Sequence, residues 1–204
     1  MKSILSITLL AFCCLATFAQ KPDEKAAAAT KTYKDYVSRI KAGDATVNFG
    51  AVRKAYVEWV VTNRSAADAP KRDEMVSAFE TKNYAKAAEL GEAVMEYEIV
   101  NAGLARAVSN AFQQVKNEAK SKFYSELARN AEHGLFLSGD GKTEGSAYYV
   151  LNISEEYKVM RGLGYTVSMQ SLASKDGHSF DILDGKDDAG RSVTMYFNID
   201  SFFP

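Results

Sequence analysis

Apolar residues recur with two different periods along this chain, and the change falls after Leu137. Before it they repeat every three to four positions; beyond it they alternate. Tyr33, Tyr36, Val37 and Ile40 predict a short amphipathic helix, with Gly43 and Asp44 as its stop. Asn48 is placed to cap the next helix, whose face carries Phe49, Val52, Tyr56, Trp59 and Val60. Arg64 to Ala69 reads as a loop, and Asp68 with Pro70 marks a fresh start for a helix with Met75, Val76 and Phe79 on one side. Further helices are expected from Asn83 through Val94 and Met95, from Asn101 through Leu104, Val108, Phe112 and Val115, and through Phe123, Leu127 and Ala131. Short joints between consecutive helices predict antiparallel hairpins. Trp59 is expected in the core, the alternative for its aromatic stripe being the wall of a ligand groove.

The portion from Asn83 to Val115 resembles a tetratricopeptide unit. Tyr84 and Ala87 stand where that repeat has its tyrosine and small packing residue, while the early Trp, the Gly and the closing Pro are missing and no second copy follows. The resemblance implies either a surface for a peptide or partner protein, or a support for what comes after it.

After Leu137 four strands are predicted. Ala147, Tyr149, Leu151 and Ile153 share one face of the first, and Ser154 is read as the cap of a short helix with Glu155 and Glu156 near its positive end, closed by Gly162 and Gly164. Tyr165, Val167 and Met169 alternate next. Phe180 and Ile182 follow across a turn at Asp176 and Gly177, and Val193, Met195, Phe197 and Ile199 complete the set. Three of the strands read as antiparallel and hairpin-joined.

Ser138-Gly-Asp-Gly-Lys142, Ala147 to Val150, Glu156-Tyr157, Leu163-Gly164, Gln170-Ser-Leu172, Phe180-Asp181 and Tyr196-Phe-Asn-Ile199 occur in an order that resembles bacterial domain-of-unknown-function family 4919. Tyr36 to Asp44 and the helix from Phe49 are similar to that family's opening. The chain departs from the pattern at Phe180, where a tyrosine is expected, and over Arg53 to Trp59, which lacks a tyrosine pair and a following glycine. The resemblance implies an exported protein with helices leading into a small sheet, and it carries over no catalytic residue.

The first residues change the picture of where the protein works. Lys2 precedes an apolar run from Ile4 to Ala16, and Thr17-Phe-Ala19 supplies the small residues a signal peptidase requires, so cleavage is expected after Ala19 with Gln20 as the new terminus. The run is shorter than a bilayer span. Phe12 before Cys13 disfavours lipidation. Both cysteines, Cys13 and Cys14, leave with this segment, so the mature chain is expected to carry no thiol and to depend on packing. Residues 20–32, rich in Lys and Ala without an apolar stripe, read as a flexible leader grading into helix. The formal charge of the full chain is −1, and losing Lys2 makes it one unit more negative. That balance argues against a nucleic-acid binder and against an anionic-membrane binder.

Candidate chemistry is sparse. Gly141-Lys142-Thr143 suggests a phosphate loop, but the glycine needed five residues before the Gly-Lys pair is Phe136. The segment reads instead as a Gly-rich joint in which Asp140 and Lys142 are binding candidates. Asp184, Asp187 and Asp188 lack the EF-hand pattern, with Lys186 and Ala189 at its key positions, and read as a hairpin turn. His133 and His178 have no second histidine at metal spacing, and no Gly-x-Ser-x-Gly elbow frames a serine. Glu155 and Glu156 would serve acid–base chemistry only if each were buried beside the other's charge. No catalytic residue, metal site or cofactor is assigned.

The sequence therefore predicts an α+β protein: a signal peptide over 1–19, a leader over 20–32, tetratricopeptide-like helical hairpins over 33–137, and a small, mainly antiparallel sheet with one short helix over 138–204, packed on the helices as one unit. It is expected to be secreted or periplasmic, with no transmembrane segment once the signal is removed. The leading functional expectation is a non-enzymatic binding or scaffold module of the cell envelope with a protein or peptide partner, Asp140, Lys142 and His178 being the binding candidates. The alternatives are a hydrolase-like enzyme with its site between helices and sheet, and a structural accessory protein that binds no small ligand.

Overall fold

A computed structural model describes residues 22–63 and 71–203. The expected signal peptide and its cysteines, the loop from Arg64 to Ala69 and the start at Asp68 and Pro70 lie outside the described residues. The helices are α1 Pro22–Lys41, α2 Phe49–Thr62, α3 Arg72–Glu80, α4 Tyr84–Met95, α5 Ala102–Gln114, α6 Glu118–Leu137 and α7 Ile153–Gly162. The strands are β1 Tyr148–Tyr149, β2 Thr166–Lys175, β3 His178–Lys186 and β4 Ser192–Asn198. Among the described residues no helix is long and apolar enough to cross a membrane.

One residue type starts most of these helices. Asn48, Asn83, Asn101, Asn117 and Asn152 each turn a side-chain oxygen onto the backbone N–H three residues on, satisfying a donor that the first turn leaves without a partner. Two helix joints share one local chemistry. Lys82 and Lys116 adopt left-handed backbone with φ of 58° and 60°. The asparagine after each donates its N–H back to the final turn, Asn83 to Ala78 O at 2.8 Å and Asn117 to Phe112 O at 2.9 Å. This 6→1 closure ends one helix and the same asparagine caps the next, which folds α3 on α4 and α5 on α6 as antiparallel pairs.

The helices pack α1 on α2, α3 on α4, α4 on α5, α5 on α6, and α2 across α6. Two glycines allow that last crossing. A Cβ at Gly50 would lie 2.4 Å from Leu137 O, and one at Gly134 would lie 2.8 Å from Phe49 O. Among the described residues apolar side chains gather in two clusters. One lies among α1 to α6, and the other joins Leu135 of α6 to Tyr148, Val159, Met160, Leu183, Met195 and Phe197 around the sheet. Leu127 and Ala128 belong to the first cluster, so α6 serves both cores.

The sheet has the order β1-β4-β3-β2. β2, β3 and β4 form an antiparallel meander, and β1 pairs with β4 in parallel, which a chain returning through α7, β2 and β3 can supply. Asp176 and Gly177, with φ of 53° and 81°, make the tight β2–β3 turn. α7 lies on the face that carries Asp181, Leu183 and Gly185, where a Cβ at Gly185 would lie 2.8 Å from Met160 Cε.

Three local expectations change. Residues 22–32 form the first half of α1, where the buried face of Tyr33, Val37 and Ile40 continues back one turn to Ala29. The predicted strand through Ile153 stops at Tyr149. Asn152, not Ser154, caps α7, and Ile153 is 54% exposed on its first turn, so the alternation there came from a cap and not from a pleat.

Candidate functional site

α1 and α2 present one aromatic face to each other. Tyr33 stacks on Trp59 with ring centroids 5.0 Å apart, Tyr56 leans on Tyr33 at 5.4 Å, and Tyr97, just after α4, lies 6.4 Å from Trp59. The Tyr33 hydroxyl donates to Tyr97 O at 2.9 Å and accepts from Ile99 N at 3.2 Å, fixing the segment after α4 against α1. Burial holds this phenol well above its ordinary pKa, so it stays neutral and keeps both bonds. Tyr33, Trp59 and Tyr97 floor a groove of about 650 Å³, with Val37, Lys34, Ser38 and Lys41 along its α1 side. Lys41 pairs with Glu96 across the opening at 2.5 Å, and Thr30 donates to Asn63 at 3.3 Å. Among the described residues Lys34 has no carboxylate within ion-pair distance. Trp59 is buried in the core, as expected, and one side of it also lines this groove.

A second constellation joins the halves. Arg53 of α2 is fully buried. Its Nη1 donates to Glu155 Oε2 at 2.5 Å and Tyr149 O at 3.2 Å, and its Nη2 to Glu155 Oε1 at 3.1 Å and Val100 O at 3.4 Å. Glu155 Oε2 also accepts from Leu151 N at 2.8 Å. Glu155 therefore sits in the first turn of α7, as the dipole argument expects, and neutralises a buried guanidinium as well.

The three binding candidates separate. Asp140 and Lys142 stay together on the exposed joint, where Asp140 Oδ1 accepts from Lys142 N at 3.0 Å. Hydrogen bonds from the Ser146 side chain and the Lys142 N–H hold the Asp140 carboxyl below its ordinary range. That joint is strapped to the sheet by Tyr196 N donating to Gly141 O at 2.8 Å. His178 lies elsewhere, at the start of β3. Its Nδ1 is 2.6 Å from Asp200 Oδ2, and Asp200 also accepts from Ser179 N at 2.7 Å and Asn198 Nδ2 at 2.8 Å. Two hollows of about 280 Å³ each flank His178 and share Tyr149 as a wall, one bounded by Lys25, Lys54 and Glu58, the other by Glu144 and Lys175. Glu144 of the Gly-rich joint reaches His178's surroundings; Asp140 and Lys142 line neither hollow. The Lys54 ammonium lies 5.4 Å over the Tyr149 ring, and burial, followed by the charges of Asp200 and Glu58, raises that phenol's pKa.

Asp187 accepts from Ala189 N and Arg191 N, so the acidic run is a turn closing β3 onto β4. His133 is exposed on α6. Among the described residues no three His, Cys, Asp or Glu side chains gather as metal ligands.

Under α7 lies a pair of acids that the sequence did not reveal. Glu156 is fully buried and Asp181 nearly so. Among the described residues both Glu156 oxygens and Asp181 Oδ1 have no hydrogen-bond donor, while Gln170 Nε2 donates to Asp181 Oδ2. Burial first, then the Asp181 charge, pushes Glu156 up to about 8. A Glu156 carboxyl that burial keeps protonated is able to donate towards the Asp181 carboxylate, whose charge is the next cause of the shift.

No curated protein and no solved structure matches the chain. The model of one family, described as a domain of unknown function, DUF4919, matches residues 23–203, and the chain belongs to that family.

Proposed function

We propose that this protein is an exported, non-enzymatic binding module that holds a short extended peptide of a partner in the groove between α1, α2 and the segment after α4. The groove itself is the observation that carries this reading. Its volume of about 650 Å³ lies in the range of ligand sites, its floor is aromatic, and Lys34 stands at its rim without an acidic partner among the described residues. Such a surface suits a peptide with one apolar side chain for the floor and a carboxylate for Lys34. Export is supported by Lys2, the run from Ile4 to Ala16 and the small residues Thr17 and Ala19.

Trp59 is the sole tryptophan, so its emission reports the groove directly. Mature protein from Gln20 is titrated with a library of short acidic–apolar peptides. A shift in Trp59 emission that Ser38→Phe and Lys34→Glu each abolish, with folding retained, supports the reading. No shift with any member, or a shift indifferent to both variants, rejects it.

The pair His178 and Asp200 favours a second reading, a hydrolase whose water is activated at His178 in the hollow between helices and sheet. The carboxylate orients Nδ1 and leaves Nε2 to take a proton. Turnover of ester or phosphoester substrates that His178→Ala abolishes without unfolding the protein is its test.

A further inference from the structure

β2 is the long open edge of the sheet. The other edge, β1, is two residues long and packed against α2 and α6. β2 runs ten residues, and its side away from β3 meets no other strand among the described residues. Open edges are usually blocked by charge, proline or a central bulge. Here Thr166 to Ser174 contains no charged residue and no proline, and the one register shift lies near the start, between Val167 and Met169. The edge also exposes apolar surface on both faces. Met169, level with Asp184, and Leu172, level with Asp181, are each 60% exposed and point to opposite sides.

We propose that β2 pairs antiparallel with β2 of a second copy of this chain, joining two four-stranded sheets into one of eight strands. This inference is independent of the groove. Charge selects the occupant. The only charged residue of the strand, Lys175, sits at its end, and an antiparallel two-fold places each Lys175 beside the Thr166 end of the other copy, a strand length away from its twin. The uncharged stretch then meets itself. A two-fold axis normal to the sheet keeps the α7 layers of both copies on one face, so Leu172 of each copy is covered on the α7 side and Met169 on the other. The unpaired N–H and C=O groups of both edges gain partners at the same time.

Sedimentation velocity and light scattering on mature protein from Gln20 test this across a range of micromolar concentrations, with amide hydrogen exchange on the same samples. The expected result is a dimer, with β2 amides that become protected as concentration rises. Met169→Lys with Leu172→Lys, and separately Ser171→Asp, substitute exposed positions, so each is expected to keep its helical content and melting temperature while the dissociation constant rises at least about tenfold, a change of about 1.4 kcal/mol. A monomer at every concentration with fast-exchanging β2 amides overturns the proposal. A dimer that both variants leave intact also overturns it, as does a monomer whose β2 edge takes up an unrelated extended peptide.

Discussion

Arg53 and Glu155, 102 residues apart in sequence, form a two-point ion pair that ties α2 to the first turn of α7. The guanidinium also serves two backbone carbonyls, Tyr149 O and Val100 O, so four chain segments meet at one side chain. Removing one member leaves the other charge without its counter-ion in a dry setting. Arg53→Met is expected to cost about 3–5 kcal/mol in chemical denaturation, and Arg53→Met with Glu155→Leu to recover most of that loss. Equal losses in the single and double variants would show the pair to be uncoupled.

Glu156 makes stability depend on pH in an unusual direction for a carboxylate. Its folded pKa of about 8 lies above the ordinary 4.5, so between these values the folded state holds a proton that the unfolded state has released. Stability therefore falls as pH rises from about 5 to 8, by at most about 1.4 kcal/mol per unit, and levels off above 8. Glu156→Gln keeps a donor for Asp181 and is expected to flatten this slope. Urea midpoints at pH 5, 6.5 and 8 decide the matter, and an unchanged slope in the variant assigns it to other groups.

Asp44 works in the opposite sense. Bonds from Thr46, through hydroxyl and N–H, and from Arg39 lower its carboxyl to about 2. Its contribution to closing the turn after α1 is present above the ordinary 3.8 and is lost as pH falls towards 2. Asp44→Asn is expected to make the α1–α2 turn exchange its amides faster at neutral pH while leaving acid sensitivity below pH 4 reduced.

At the α2–α6 crossing, Gly134→Ala pushes a methyl into Phe49 backbone, which cannot move aside as a side-chain tip can. A loss of about 1–3 kcal/mol is expected. Gly43→Ala serves as the control in space, since none of the described residues lies within 4 Å of a Cβ there, although its φ of 78° adds backbone strain. Calorimetry of the two variants separates crowding from strain.

Asn117→Ala removes the cap that follows the left-handed Lys116, and about 1 kcal/mol is expected to go with it. Lys116→Gly relieves the positive φ at the same joint and is expected to be neutral or slightly stabilising. A thermal melt of each variant reads both effects.

Local chemistry was legible in the sequence and distant chemistry was not. Asn48, Asn83 and Asn101 announce helix starts because a cap needs only the next three residues. The Asp176–Gly177 turn is visible for the same reason, since positive φ favours those residue types. Ser154 misled because Asn152, two positions earlier, does the capping, and the exposed Ile153 imitated a strand. α1 extends back to Pro22 with its buried face continuing one turn from Tyr33 to Ala29, and an alanine among other alanines makes no visible stripe within residues 20–32. Arg53 carries no periodic signal of its role; only the fold brings it to Glu155. Asp181 and Glu156 likewise look like ordinary surface acids until α7 is laid on β3. Of the binding candidates, His178 was placed by an acid 22 residues away, Asp200, and Glu144 rather than Asp140 or Lys142 is the part of the Gly-rich joint beside it.

The dual membership of α6 limits how this protein can be dissected. The change of hydrophobic period at Leu137 invites a cut there, yet Leu135 belongs to the sheet's core and Leu127 to the helices'. A fragment ending at Leu137 would present Leu135 and Phe136 to water and leave the Arg53 guanidinium without Glu155. A fragment beginning at Ser138 would lack a residue from the centre of its own interior. During synthesis the helical portion must then wait, its last helix half-clad, until β4 arrives with Phe197.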